Sequence, residues 1–155
     1  MKLTCEKTIL ADAVAVCIHA VSAKSSIAAL EGLLITTGEH SASLCGYNFK
    51  TAIQRSFDAT IVEAGTAVIS ARILSDIVRR LPNDTVEISV DEKMMATIRS
   101  GATEFNLMAT PAREYPDLPD VDAVAGASLQ SKVLRDLLLD EPHVREHFSK
   151  IQECA

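Results

Sequence analysis

The chain has 155 residues, 48% of them hydrophobic, and a formal net charge of −6. That length and apolar content suffice for one domain with a buried core plus an appendage. The acidic balance argues against a generally basic nucleic-acid binder but leaves room for a local basic face. No apolar run approaches a membrane span, and the first residues lack the basic, apolar and small-residue regions of a signal peptide, so a cytoplasmic protein is expected.

In chain order, the first predicted element is a short strand over residues 2–5. Thr8 is the predicted N-cap of a helix that buries Ile9, Leu10, Ala13, Val16, Cys17 and Ala20. Three strands follow, over 30–37, 42–47 and 50–59, the first two joined by a Gly38-Glu39-His40 turn. In the third, Thr51, Ile53, Arg55 and Phe57 alternate with Ala52, Gln54 and Ser56.

The same order then repeats. A strand over 66–69 leads into a helix over 71–81, where Ile73, Leu74, Ile77, Val78 and Leu81 recur at helical spacing. Arg72, Ser75, Asp76, Arg79 and Arg80 take its other side. After the stop at Leu81-Pro82-Asn83-Asp84 the period changes to two. Val86, Ile88 and Val90 alternate with Glu87 and Ser89, and Met94, Ala96 and Ile98 with Met95, Thr97 and Arg99. Turns at Asp91-Glu92 and Ser100-Gly101-Ala102 lead to a last strand over 104–109. The predicted fold is therefore α+β, with two pseudo-symmetric strand-helix-three-strand units and two helices on one face of an antiparallel sheet. Pro111, Pro116 and Pro119 then mark an extended connector, and a tail helix is expected over 129–139, with a short second one over 144–151. Leu129, Val133, Leu137 and Leu138 would give that tail an apolar stripe in need of a partner.

Enzymatic signals are poor. Cys5, Cys17, Cys45 and Cys154 form no CxxC pair, and three of them sit in apolar-periodic segments, which favours buried reduced thiols. His143 and His147 share a helical face, but HVREH lacks the glutamate arrangement of HExxH and a third ligand. Cys17 and His19 project from different sides of a helix. There is no glycine-rich phosphate loop, no GxSxG and no paired-carboxylate motif. No catalytic residue, metal ligand or cofactor is assigned.

The runs SARILSDIVRRLP and SGATEFNLMATPAREYPDLP, with MKLTCEK, VSAKSSIAALEGLLI and LCGYNFKTAI, resemble the N-terminal domain of the bacterial DNA polymerase III β subunit family, the sliding clamps. The resemblance covers about residues 1–135 and implies a clamp domain over 1–120. Residues 121–155 form a linker and helical tail that resemble only the start of a second domain. For the whole family it implies a head-to-tail dimeric ring of six similar domains, helices lining the hole, that encircles duplex DNA and holds a polymerase to it. This chain has room for the first of three domains, so the cleft that binds DNA polymerase III and the clamp loader is expected to be absent. Ala28-Ala29 stands where the family commonly has a proline, and Asn48 where it commonly has Asp.

A tether that does not read sequence needs phosphate-directed cations rather than base-reading side chains. Arg72 and Arg79, two helical turns apart, and the adjacent Arg80 match the hole-lining helix by resemblance, and Lys24 matches a basic loop position that touches DNA. A solvated face on which Asp76 pairs with Arg72 remains open beside this. Phe105 and Leu107 lie on the strand that the family uses to join a neighbouring subunit; both could equally fill this domain's own core. The competing function is a clamp-derived protein-interaction module that no longer binds DNA.

Overall fold

The computed structural model describes residues 1–118 and 130–140. The chain divides into two compact units, Met1–Leu118 and Pro119–Ala155. The first unit carries ten strands and two α-helices, in the order β1 (Lys2–Glu6), α1 (Lys7–Cys17), β2 (Gly32–Thr37), β3 (Ser41–Tyr47), β4 (Ala52–Asp58), β5 (Thr60–Glu63), β6 (Thr66–Ser70), α2 (Ala71–Arg80), β7 (Thr85–Val90), β8 (Met95–Ser100), β9 (Thr103–Met108) and β10 (Thr110–Pro111). In the second unit the described element is α3 (Ser131–Asp140), which overlaps the expected tail helix; its Val133 is exposed. The helix expected over 144–151 lies outside the described residues, as do Leu129, His143, His147 and Cys154.

The strands of the first unit form two antiparallel five-stranded sheets, ordered β5-β1-β7-β8-β9 and β10-β6-β2-β3-β4. The two repeats trade their opening strands. β1 lies against β7, with Leu3 opposite Ile88 and Cys5 opposite Val86. β6 lies against β2, with Ile69 opposite Leu33 and Ala67 opposite Ile35. Each closing strand also crosses over. β4 stops before Ala59 and continues as β5 in the other sheet, and β9 stops before Ala109 and continues as β10 in the other sheet. The strands expected over 50–59 and 104–109 end at these corners and match β4 and β9; β5 and β10 beyond them were not predicted.

Period-two burial makes each strand half apolar, and the two helices cover those apolar halves together. Leu3, Leu10, Leu33, Ile35, Leu44, Ile69, Leu74, Ile88 and Ile98 belong to one cluster and are at most 1% exposed. Each such side chain contributes about 1.5–3 kcal/mol on burial. Glycine permits one close approach here, because a Cβ on Gly46 of β3 would collide with the Cys17 carbonyl at the end of α1. A smaller cluster of Ala29, Leu30, Tyr47, Val68 and Tyr115 sits on the opposite face of the second sheet. Tyr115 donates its hydroxyl hydrogen to the Cys45 carbonyl at 3.2 Å. The segment expected as a simple extended connector therefore first pairs Thr110 with Val68 and Pro111 with Ala67, then turns through Ala112–Glu114 and anchors a buried tyrosine.

The helices differ from the pattern in detail. In α1 the buried stripe is Leu10, Ala13, Val14 and Cys17, spaced three and four apart. Val16 falls outside this stripe and is 44% exposed, contrary to expectation. In α2 the stripe is Ala71, Leu74, Ser75 and Val78, with Ile77 at its margin, so Ser75 is buried and Ile73 is 46% exposed. Glu6, not Thr8, occupies the N-cap of α1, and the Thr8 hydroxyl donates to the Glu6 carboxylate instead.

The two helices pack against each other and run antiparallel. Lys7 begins α1, where the helix dipole disfavours a cation. Its ammonium reaches the far end of α2 and donates to the Leu81 carbonyl at 2.7 Å, while its backbone N–H donates to the Asp84 carbonyl at 2.6 Å. There the dipole favours positive charge and an orphan carbonyl needs a donor.

Two outcomes are expected. Lys7→Met should lower the unfolding free energy by about 1–2 kcal/mol in urea denaturation, with Lys7→Arg retaining part of it; an unchanged midpoint would show that the tie contributes nothing. Burial raises the Cys5 thiol from its ordinary 9.0 to about 11. The unfolded chain releases this proton near pH 9 while the folded chain holds it to about pH 11, so stability present below that window is lost as pH rises through it. Burial also raises the thiols of Cys17 and Cys45, so Cys5→Ala should make the alkaline fall in stability shallower without abolishing it. An identical slope in the variant would contradict the burial argument.

Candidate nucleic-acid interface

Side chains that the stripe of α2 leaves out face solvent, and three of them are cations: Arg72, Arg79 and Arg80. Arg72 and Arg79 lie about 10 Å apart along the axis on the 1.5 Å rise per residue. Arg79 and Arg80 occupy the last turn, where the dipole favours them. Among the described residues none of the three forms an ion pair, so the Asp76–Arg72 pair left open from the spacing is not made.

The antiparallel packing brings the end of α1 to the start of α2. A cleft of about 440 Å³ is lined there by Ile18, Val21, Ser22, Ala23, Glu31, Ser70, Ala71 and Arg72. Lys24 follows directly on the loop that forms one wall, and it is exposed. Lys24 and Arg72 thus share one end of the helix pair, and Arg79 and Arg80 the other. The exposed side of α1 adds Asp12, and the turn Ile18–Ala20 after it adds His19, rather than further lysines or arginines. The face is therefore a sparse set of cations among Asp12, Asp76, Val16 and Ile73, with charge for phosphates and no array of amide side chains for base edges.

Phe105 and Leu107 occupy β9, the last strand of its sheet. Both are half-buried and pack against the main core, while Met108 is 64% exposed. On the other face of this sheet an ionic ladder crosses four strands. Lys2 meets Glu87 at 3.2 Å, and Arg99 spans from Glu87 at 4.0 Å to Glu104 at 2.6 Å. Hydrogen bonds from Arg99 first, and then from Asn106, hold the Glu104 carboxyl below its usual range. These arginine and lysine charges are committed within the ladder, unlike those of α2.

Two features escaped the sequence reading. Lys7 had a signal in its placement, a cation at the unfavourable end of a helix. The Lys24–Arg72 proximity had none, since 48 positions of sequence separate them and only the antiparallel helix packing joins them. Asn48, where the resembling family commonly has Asp, still accepts the backbone N–H groups of Lys50 and Thr51 at 3.0 and 2.8 Å, so the turn keeps its geometry. Among the described residues no group of three or more His, Cys, Asp or Glu could hold a metal ion, and no helix is long and apolar enough to cross a membrane.

Comparison with known proteins gives this architecture a family. The model for the DNA polymerase III beta subunit, N-terminal domain, matches residues 1–119. The beta sliding clamp of Streptomyces coelicolor is 38% identical over 126 residues, which are 81% of this chain and 33% of that protein. The beta sliding clamp of Bacillus subtilis is 33% identical over 146 residues, 89% of this chain and 39% of that protein. The crystal structure of the Bacillus subtilis DNA polymerase sliding clamp superposes with a TM-score of 0.85 at 33% identity, covering 89% of this chain and 38% of that one. The chain thus spans between a third and two-fifths of the length of these relatives. From the exchanged strands and paired helices to the motif that ends in Tyr115, the chain belongs to the DNA polymerase III β subunit family, and it corresponds to that family's N-terminal domain.

Proposed function

We propose that this domain serves as a DNA-tethering processivity module of the sliding-clamp type, acting in the cytoplasm and holding duplex DNA without reading its sequence. The observation that carries this reading is the row of cations on the solvent side of α2, Arg72, Arg79 and Arg80, which form no ion pair among the described residues, with Lys24 at the Arg72 end. Duplex DNA carries about one charge per 1.7 Å of axis, so cations spread over about 10 Å can meet several phosphates in any register. Intervening Asp12 and Asp76 keep the binding weak, which suits a surface that must slide. Phe105 and Leu107 on the β9 edge are the proposed self-association surface. DNA polymerase III and the clamp loader are partners of the longer family chain, through a cleft that this stretch of sequence does not supply.

A second reading is favoured by the net charge of −6, namely a clamp-derived interaction module that has left DNA. Duplex binding at low salt separates the two. The tether predicts binding at about 10⁻⁴–10⁻⁶ M that falls steeply with salt. Replacing both arginines, Arg72→Ala with Arg79→Ala, should weaken binding at least about tenfold and reduce the salt slope by about 0.9 for each phosphate no longer neutralised. Equal affinity of variant and parent, or no binding at low salt by this chain and by a three-domain version, would sink the tethering reading.

A further inference from the structure

Among the described residues one aromatic ring stands open to solvent. Phe49, in the turn between β3 and β4, is 59% exposed, whereas Tyr47, Phe57 and Tyr115 are buried and Phe105 is half-buried. It belongs to neither apolar cluster. Its backbone lies at φ +67°, the left-handed region that glycine or asparagine occupies at less cost, and such strain persists where a function uses it. The turn that carries the ring is firmly built. The Asn48 side chain accepts the N–H groups of Lys50 and Thr51, and the Asn48 N–H donates to the Thr51 carbonyl at 3.2 Å. Buried Tyr47 props the Phe49 ring edge to face, with centroids 5.5 Å apart. We propose that Phe49 is a stacking platform for an unpaired base of single-stranded DNA, with Lys50 and Lys24 taking the adjoining phosphates.

The fold sets both lysines at this end of the domain. Lys50 follows Phe49 directly and is exposed. Lys24 is brought near by the packing of β3 on α1, since a Cβ on Gly46, three positions before Phe49, would meet the Cys17 carbonyl and Val21, three positions before Lys24. The Lys24 loop is closed by the Ser22 N–H, which donates to the Leu30 carbonyl at 3.1 Å. Leu30 and Tyr47 belong to one cluster, so the Phe49 turn and the Lys24 loop are seated on a common base. Glu31, the acid nearest this loop in the chain, accepts the Ser25 N–H at 3.1 Å. An open aromatic face with cations beside it binds single strands without regard to sequence, because every base has a face to stack and every nucleotide a phosphate. A lone ring flanked by Asn48, Lys50 and Thr51 fits one base better than the apolar face of a protein partner. Paired bases are already stacked inside a duplex and offer Phe49 no such face. The site deepens the tethering reading, with which it shares Lys24, by adding a grip on an unpaired strand to the arginines that meet duplex.

Fluorescence anisotropy of a labelled oligothymidylate of about twelve nucleotides, titrated with the full chain at low salt beside a labelled duplex, gives the test. Phe49→Asn removes the ring but keeps a residue suited to positive φ, and circular dichroism verifies its fold. The platform predicts that Phe49→Asn binds the oligothymidylate at least about tenfold more weakly than the parent, that Phe49→Trp binds it at least as tightly, and that neither change alters affinity for duplex. Lys50→Ala should reduce the salt slope for the oligothymidylate by about 0.7, the contribution of one phosphate. Equal affinity of Phe49→Asn and parent for the oligothymidylate, an equal loss on duplex, or no oligothymidylate binding by the parent overturns the platform. Each of these leaves the duplex tether to be judged by its own titration. Phe49-dependent binding of the oligothymidylate by a chain that does not bind duplex would uphold the platform and strike the tether.

Discussion

Exchange of the opening strands is the constraint on which the rest of this domain depends. β1 belongs by sequence to the first repeat but completes the sheet of the second, and β6 does the reverse. Neither three-strand run with its helix is a closed unit, because each lacks a strand that only the other repeat supplies. The apolar faces of both sheets and both helices therefore merge into one cluster that includes residues from Met1 to Ala109. Ala59 and Ala109, where the closing strands turn from one sheet to the other, lock the arrangement a second time. Small residues suit these corners, since Ala109 is buried where the strand changes sheet.

The charge pattern follows from that packing rather than from net composition. Once the strands claim one side of each helix, α2 has only its Arg72, Ile73, Asp76, Arg79 and Arg80 side left for solvent. Three other cations are spent differently. Lys2 and Arg99 are held by Glu87 and Glu104 on the outer face of a sheet, and Lys7 ties the end of α2 to the start of α1. An acidic protein can in this way present a locally cationic surface, with acidic groups neutralised on one face and arginines left uncommitted on another.

Much of this was legible in the sequence, and the failures have identifiable causes. The helices, the three-strand runs and the family resemblance came from periods of 3.6 and 2 that tertiary packing respects. The solvent placement of Arg72, Arg79 and Arg80 followed from the same periodicity. Val16, Ile73 and Ser75 were misassigned because hydrophobicity alone does not locate the centre of a buried stripe; packing between α1 and α2 sets it, and it accepts a serine while leaving two β-branched residues outside. β5 and β10 were invisible because they are short, of four and two residues, and present no fully buried side chain to set a period. Tyr115 looked like part of a proline-rich connector, since its partner, the Cys45 carbonyl, lies 70 positions earlier.

The β1–β7 pairing also governs when the domain can come into being. β1 pairs with β5 on one side, and on the other Glu6 is the partner of Thr85, so the first strand made on the ribosome must wait for nearly eighty further residues before its second neighbour exists. A chain emerging at about 5–20 residues per second spends several seconds with the β7 side of β1 unpaired. Such long-range pairing slows folding, because loop closure must precede the interactions that reward it. Completion of this domain is thus a late event, since the strand that is made first is not enclosed on both sides until β7 has followed it.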